Sequence, residues 1–376
     1  MVKGLLAERG GGRISQLGVL TVCLAVFTVT LILSLFSLFS KAFMDGGGDF
    51  VGFENYIHYF RTPALSVSVG NTIDISLWSA AVSMALGLLY AYALTRTRIR
   101  AKQFFKYAAL IPIFIPTIVH ALGLVYIFGK QGIITRMGFE IELYGRLGII
   151  LSEIIFTFPQ AFLMFYVALE FVDGRLYEAA DSMGVSPLKK FFRITLPEIK
   201  YSVINVFFVC FTLAFTDFGA PKVIGGSYNV LATDIYKQVA GQFNMNLGAV
   251  VGTLLLIPAV LTFTADRLIS NKNSSVIGAK ATPLVIKAAR GRDAFYFVFC
   301  ALITLFLLLL IASLAIGALS EYYPYKMSPT LKHFTFNESA GGIESFYHSL
   351  EMAFLTALIG TAFVFVYAYM MEKTSG

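Results

Sequence analysis

The chain has 376 residues, 57% hydrophobic and only 14% charged. Soluble proteins carry about 25% charged residues, and several apolar runs here exceed the roughly 18 residues that mark a membrane span. This excludes a soluble enzyme or binding domain and points to a polytopic membrane protein. The formal net charge of +7 does not indicate nucleic acid, because no basic stripe interleaves with stacking aromatics.

The first predicted span covers residues 17–40, behind Lys3, Arg9 and Arg13. It is too long for a signal-peptide core and lacks a convincing small-residue cleavage site. Five more spans are predicted at 69–94, 107–128, 147–171, 201–221 and 246–266. A polar linker, 269–293, separates these from two last spans at 294–319 and 348–371. Pro112 and Pro116 near the start of the third span, and Pro159 within the fourth, should kink or loosen those helices. Cys23, Cys210 and Cys300 fall in apolar spans and read as small hydrophobes. No CxxC or His-rich cluster suggests a metal. His120 reads as a satisfied histidine of the bundle interior. Glu153 and Glu170 read as interfacial residues flanking the fourth span. Asp74 reads as a carboxylate favoured near the start of an inward-running helix.

Lysine and arginine placement sets the orientation. With the N-terminus inside, every inside segment is basic, including Arg96–Lys106, Lys189–Lys200 and the linker. The chain also repeats: Ala80, Ala85, Tyr90, Ala91 and Tyr92 recur in the same order and spacing as Ala357, Ala362, Tyr367, Ala368 and Tyr369. The second span thus resembles the eighth, and the first resembles the seventh, as in a parallel repeat of two transmembrane halves. The division expected is 1–268 for a first half, 269–293 for a cytoplasmic linker, and 294–376 for the first two spans of a second half. On this reading an intact second half carries about four further spans and its own polar loop beyond Gly376.

The polar stretch EAADSMGVSPLKKFFRITLP runs from Glu178 to Pro197 between apolar spans, on the inner side. Its grammar is helix, turn, helix. Glu178, Ala179 and Ala180 are good helix formers. Gly184 suits the left-handed residue that ends a helix. Ser186 and Pro187 suit the cap and first turn of the next helix. Leu188, Phe191, Phe192 and Thr195 then recur at helical spacing, with Lys189, Lys190 and Arg193 around them.

This stretch resembles the EAA loop of the permease subunits of binding-protein-dependent ABC importers. The family pattern is Glu-Ala-Ala, three residues, Gly, nine residues, Ile-x-Leu-Pro; the chain has Glu178, Ala179, Ala180, Gly184, Ile194, Leu196 and Pro197 with every spacing intact. The resemblance implies an all-α, type I importer bundle of six spans plus the start of a second repeat. It implies that loop 172–200 is a coupling helix inserted into a cytoplasmic ABC ATPase dimer, and that an extracytoplasmic solute-binding protein delivers the cargo. Loops near 41–68, 129–146 and 222–245 would receive that protein. The setting implied is the bacterial inner membrane. No Walker A pattern, G-x-S-x-G elbow or HExxH occurs in the sequence, so ATP and Mg are expected on the partner ATPase, with no cofactor on this chain.

Asp217 is the notable ionisable residue inside a predicted span, and such a residue is a functional candidate by default. Gly219, Pro221 and the following glycines should break the helix there, which at membrane depth needs a cavity or protein around it. Asp217, Gly219, Pro221 and Lys222 are therefore candidates for a gate or solute path; a Lys222 salt bridge or an N-cap is the alternative role for Asp217. The segment FTDFGAPKVIGG with the outer-loop TDIYK is similar to the ferric-iron and 2-aminoethylphosphonate branch of these permeases. Its APKVIGG variant favours 2-aminoethylphosphonate, with ferric iron as the alternative solute. An ion-gradient-driven secondary transporter is the less favoured reading, since it calls for paired charges and broken helices at the midplane.

Overall fold

The computed structural model describes residues 2–273, 282, 284–335 and 341–374, so residues 274–281 and 283 of the linker lie outside the described residues. In a bilayer each backbone polar group must be paired within the chain, and each long apolar segment duly closes as a helix. Helix α1 is Val2–Ala42, α2 is Glu54–Arg61 and α3 is Pro63–Arg96. The third predicted span is broken: α4 (Lys102–Leu110) passes into a 3₁₀ turn at Ile111–Phe114, and α5 (Thr117–Phe128) begins after Pro116. Pro112 and Pro116 remove two backbone donors within one turn, which explains the break. A short α6 (Ile133–Arg136) follows, then α7 (Arg146–Glu170), which continues unbroken through Pro159.

The polar loop after α7, named the inner loop for the side its lysines and arginines lead one to expect, holds α8 (Gly174–Ser182), α9 (Pro187–Lys190) and α10 (Leu196–Glu198). The fifth span is α11 (Lys200–Thr216), interrupted at Asp217–Phe218 and resumed as the half-helix α12 (Gly219–Ile224). A short α13 (Leu231–Tyr236) leads to α14 (Met245–Asn273). After the linker come α15 (Arg290–Leu319), a two-stranded hairpin (β1, Ser320–Tyr322; β2, Lys326–Pro329) and α16 (Gly342–Thr374). The hairpin is the one departure, among the described residues, from the all-α expectation. Among the described residues seven helices are long and apolar enough to span a membrane, or eight if the bent pair Pro187–Glu198 and Lys200–Thr216 is one span.

The chain divides into two compact units, Met1–Ser40 with Ser328–Gly376, and Lys41–Met327. In the first, neither apolar helix has a buried window. The second contains the core. There α3 and α7 run parallel in near-constant register: Arg146 pairs with Asp74, Ser83 Oγ meets Thr157 Oγ1 at 2.7 Å, and Gly87 sits against Ala161. A Cβ on Gly87 would lie 2.8 Å from the Phe162 backbone nitrogen, so only glycine permits this approach. Below it, Tyr90 stacks edge-on against Phe158 and Phe162 at 5.5 and 5.1 Å.

Helix α11 lies across both, and α14 lies along α11 with Thr212 bonded to Thr262. Helix α15 buries a single stripe, Cys300, Thr304, Leu307, Leu310, Ser313 and Gly317, at the spacing of one helix face. That stripe packs on α5, where Gly123 meets Leu310 and Gly317 meets the Tyr126 ring.

Three assignments made from sequence are corrected in this core. Glu153 is not interfacial; it is fully buried, one turn above Thr157. His120 is buried as expected, but neither ring nitrogen has a hydrogen-bond partner, so it is not satisfied. Asp74 does not sit at the start of its helix. It lies more than two turns into α3 and accepts from Arg146 Nη2 at 2.9 Å and from the Tyr228 hydroxyl at 3.2 Å.

Candidate functional site

The inner loop is built from the start of α8. Asp173 caps that helix, accepting from the Arg175 backbone N–H at 3.0 Å and from its guanidinium Nη2 at 2.6 Å. The Arg175 bonds hold the Asp173 carboxyl well below the usual carboxylate range, helped by Thr282 of the linker. Helix α8 buries Gly174, Tyr177 and Ala180 and exposes Glu178 and Ala179. It ends in a Schellman turn: the Val185 N–H reaches Ala180 O, and the Gly184 N–H reaches Asp181 O, both at 3.0 Å. Gly184 has φ +65° with open space around it, so the turn needs glycine for its backbone rather than for room.

Pro187 opens α9 as expected; Ser186 occupies the cap position but makes no side-chain bond there. The helix then widens into a π turn over Phe191–Thr195, where the Leu196 N–H reaches back to Phe191 O. Pro197 explains this: it has no N–H to donate to Arg193 O, and a regular helix would press its ring on that carbonyl. The chain bends by 71° into α11 just after Glu198.

One face of this loop is fixed to the bundle. The Tyr177 hydroxyl meets Thr195 Oγ1 at 2.7 Å in a buried bond, and the Arg96 guanidinium lies 5.0 Å over the Tyr177 ring. Arg96 also donates to Leu169 O at 2.6 Å, tying together the inner ends of α3 and α7. Tyr92 meets Phe191 edge-on at 5.9 Å, and Ile194 packs against the core. Lys190 and Lys287 both pair with Asp181, holding its carboxyl below the usual range.

The other face is open. Met183, Leu188 and Phe192 are 73%, 70% and 57% exposed, beside exposed Lys189 and Arg193. Of the seven motif residues, Ala180, Ile194 and Leu196 face inward to differing degrees, while Glu178, Ala179, Gly184 and Pro197 are exposed.

The second candidate region is the break in the fifth span. Asp217 accepts from Thr117 Oγ1 at 2.7 Å and from the Ala220 backbone N–H at 2.9 Å. It therefore pins α12 to α5 and caps the half-helix, while no ion pair joins it to Lys222 among the described residues. Lys222 is exposed and lies 4.3 Å over the Tyr236 ring. Pro221 is buried inside α12. Gly219 is the contact point: a Cβ there would lie 2.3 Å from Thr117 Oγ1 and 2.8 Å from the Ile118 nitrogen. The structure thus gathers Asp217, Gly219 and Pro221 at one joint and leaves Lys222 exposed beside it.

Sequence reasoning placed His120 in the bundle interior but missed Glu153 there, and joined neither to Asp217. Glu153 faces the Asp217 carboxyl, and Asp217 in turn faces His120. The signal available was register: α7 has Glu153 four residues before Thr157, on the stripe that meets α3.

Residues 83–320 match the family described as binding-protein-dependent transport system inner membrane component. The chain is 29% identical over 222 residues to a ferric transport system permease protein FbpB of Actinobacillus pleuropneumoniae, covering 57% of this chain and 32% of that one. It is 29% identical over 220 residues to a spermidine/putrescine transport system permease protein PotC homolog of Mycoplasma genitalium, covering 58% and 74%. An arabinooligosaccharides transport system permease protein AraP of Bacillus subtilis is 28% identical over 250 residues, covering 62% and 80%. The chain spans about a third of the length of the ferric permease relatives it matches. A crystal structure of a bacterial ABC transporter that imports the acidic polysaccharide alginate shares the fold, with TM-score 0.57 and 16% identity over 71% of this chain and 98% of that one.

Proposed function

Because the chain belongs to the family of binding-protein-dependent transport system inner membrane components, we propose that it forms the membrane path of an ATP-driven importer and takes its energy through the loop at 172–200. The fold is that of a type I ABC importer permease. The observation that carries the reading is the two-faced build of the loop. Tyr177, Thr195 and Ile194 lock it to the spans, while Met183, Leu188 and Phe192 stay uncovered beside basic side chains. An apolar strip on a short, rigidly anchored helix is suited to a protein groove.

In this reading a cytoplasmic ABC ATPase dimer, carrying ATP and Mg, grips the strip. Glu178, Ala179, Ala180, Gly184, Ile194, Leu196 and Pro197 form the coupling element. The N-terminus is cytoplasmic, the protein is a multi-pass component of the bacterial inner membrane, and an extracytoplasmic solute-binding protein docks on the outer loops. The joint at Asp217, Gly219, Pro221 and Lys222 lies on or beside the solute path. Residues 1–268 form one half, 269–293 the linker, and 294–376 the start of a second, whose first helix α15 packs on the first half. A structure of a related transporter in complex with an alginate pentasaccharide-bound periplasmic protein supports the binding-protein partner.

The solute we favour is ferric iron. Two of the relatives are ferric transport permeases, alongside permeases named for spermidine/putrescine, sulfate and arabinooligosaccharides. They lend no support to 2-aminoethylphosphonate, which rests on the APKVIGG segment alone.

Co-expression of the full transporter tests the coupling. Wild type should co-purify with an ABC ATPase whose turnover rises with loaded binding protein. Glu178→Arg and Phe192→Asp should abolish that rise while the spans stay folded. Undiminished stimulation in both variants would overturn the assignment. Titrating the partner binding protein with ferric iron and with 2-aminoethylphosphonate decides the solute.

A further inference from the structure

The interior between α5, α7 and α12 holds a set of polar groups that the coupling reading does not use. Glu153 is 0% exposed, and neither carboxyl oxygen makes a hydrogen bond of acceptable geometry to any protein atom. Ser152 Oγ on the same helix and Ser79 Oγ on α3 are also buried without partners. The α3–α7 register that joins Ser83 to Thr157 puts Ser79 beside Glu153, one turn further out on both helices. Asp217 faces Glu153 from the joint between α11 and α12. His120, also 0% exposed with both nitrogens unpartnered, faces Asp217 from α5.

A carboxylate in hydrocarbon surroundings needs a cation or a proton, and two facing carboxylates need one more urgently. The basic side chains on the helices packed around Glu153 are engaged elsewhere. Arg96 holds Leu169 O, Arg146 holds Asp74, Lys106 lies over Tyr166 and Lys222 over Tyr236. Lys102 sits at the inner end of its helix near Asp293. Asp74 is saturated by Arg146 and Tyr228, and the Cys210 thiol donates to Thr157 O. Among the described residues no three His, Cys, Asp or Glu groups converge as metal ligands. Asp217, by contrast, has its charge supported by the Thr117 hydroxyl and the Ala220 N–H. It is equipped to be the acceptor and Glu153 the donor.

We propose that Glu153 and Asp217 form a buried proton-binding site, in which two facing carboxyl groups share one proton inside the membrane-embedded half. The proton comes from water and resides on a Glu153 oxygen, with its O–H directed at the Asp217 carboxylate. Its departure to water leaves two adjacent carboxylates, whose repulsion acts on the Asp217–Thr117 bond, the hydrogen bond that ties the start of α12 to α5 beside the Gly219 contact. Proton occupancy therefore sets whether the break in the fifth span stays closed. The site does not depend on the transport reading, and it is tested without it.

The test is infrared spectroscopy of the full chain in lipid nanodiscs at neutral pH, in H2O and in D2O. A protonated carboxylic acid shows a carbonyl stretch that a carboxylate lacks, and the band moves on deuteration. Wild type should show such a band, and Glu153→Gln should lose it. Asp217→Asn keeps an oxygen for one of the two donors, Thr117 Oγ1 or the Ala220 N–H, and removes the charged acceptor, so the Glu153 band should shift toward that of a weakly bonded acid. No exchangeable acid band in wild type, or a band unchanged by Glu153→Gln, would overturn the proposal. An imidazolium signature lost in His120→Gln, in place of an acid band, would overturn it as well. Should Glu153→Gln fail to fold, Asp217→Asn decides alone: a shifted band supports the shared proton, and an unshifted one refutes it.

Discussion

The inner loop and the joint at Asp217 handle polar groups in opposite ways. In the loop the inward-facing polar groups are paired: Asp173 with Arg175, the Gly184 N–H with Asp181 O, Tyr177 with Thr195. Its open face carries an apolar strip, Met183, Leu188 and Phe192, beside charged side chains. At the joint the buried atoms left without partners are polar, belonging to Glu153, His120, Ser79 and Ser152. The first region lacks a surface to bury against, as expected of a part that meets another protein. The second lacks charges or protons, as expected of a part that changes state inside the membrane.

The strongest way to break the comparison is Gly219→Leu. Its Cβ would collide with Thr117 Oγ1 and the Ile118 backbone, and overpacking of that kind costs about 3 kcal/mol. The unfolding midpoint in detergent should fall sharply, with amide exchange rising in α5 and α12 and unchanged in α8. Uniform exchange across both regions would show that they are not separate. Tyr177→Phe addresses the loop instead. It leaves the buried Thr195 hydroxyl without a partner, at a cost of about 1–2 kcal/mol, and amide exchange should rise from α8 through α10 only. Gly184→Ala has the same target and a smaller effect. The site has room, so the cost is the left-handed backbone alone, roughly 1 kcal/mol. Gly184→Asn should be milder still, and an equal loss for both would point to a contact rather than a backbone requirement.

The smallest effect is an acid dependence of the loop. The folded state depresses the Asp173 carboxyl, so its contribution is complete above about pH 4, the ordinary carboxylate value. It declines as the pH falls below that and is gone once the folded-state group protonates. Amide exchange of α8 at stepped pH, corrected for the intrinsic pH dependence of exchange, should rise toward acid in wild type. Asp173→Asn should show the raised level at every pH.

The loop was legible in the sequence because its structure is local. A Schellman turn, a proline at the first helical position and a second proline ten residues on are written in consecutive residues, and the structure follows them to within a residue or two. The spans were legible as apolar runs, and the break after Thr216 was announced by Gly219 and Pro221. The polar interior was not. Glu153 and its surroundings look the same in sequence whether the residue faces headgroups or a neighbouring helix. Only the α3–α7 register, fixed by the Gly87–Ala161 approach, decides that it faces inward. Asp74 failed for the same reason, since its partner Arg146 is a distant residue. The interrupting π turn before Pro197 lay between the two cases: the proline was visible, but the way the helix accommodates it was not.

Helix α15 has a mechanical consequence. Its 30 residues span about 45 Å, and it is fastened near both ends. At the inner end Asp293 accepts from the Arg98 backbone N–H, and Phe297 packs on Phe105. Past its outer end the Tyr323 hydroxyl donates to Tyr126 O, and Arg136 donates to Pro324 O. A rod fixed at top and bottom bears tension without stretching. It acts as a strut along α4 and α5, so that shear between their inner and outer ends is resisted even though the helix path between them is severed at Pro116.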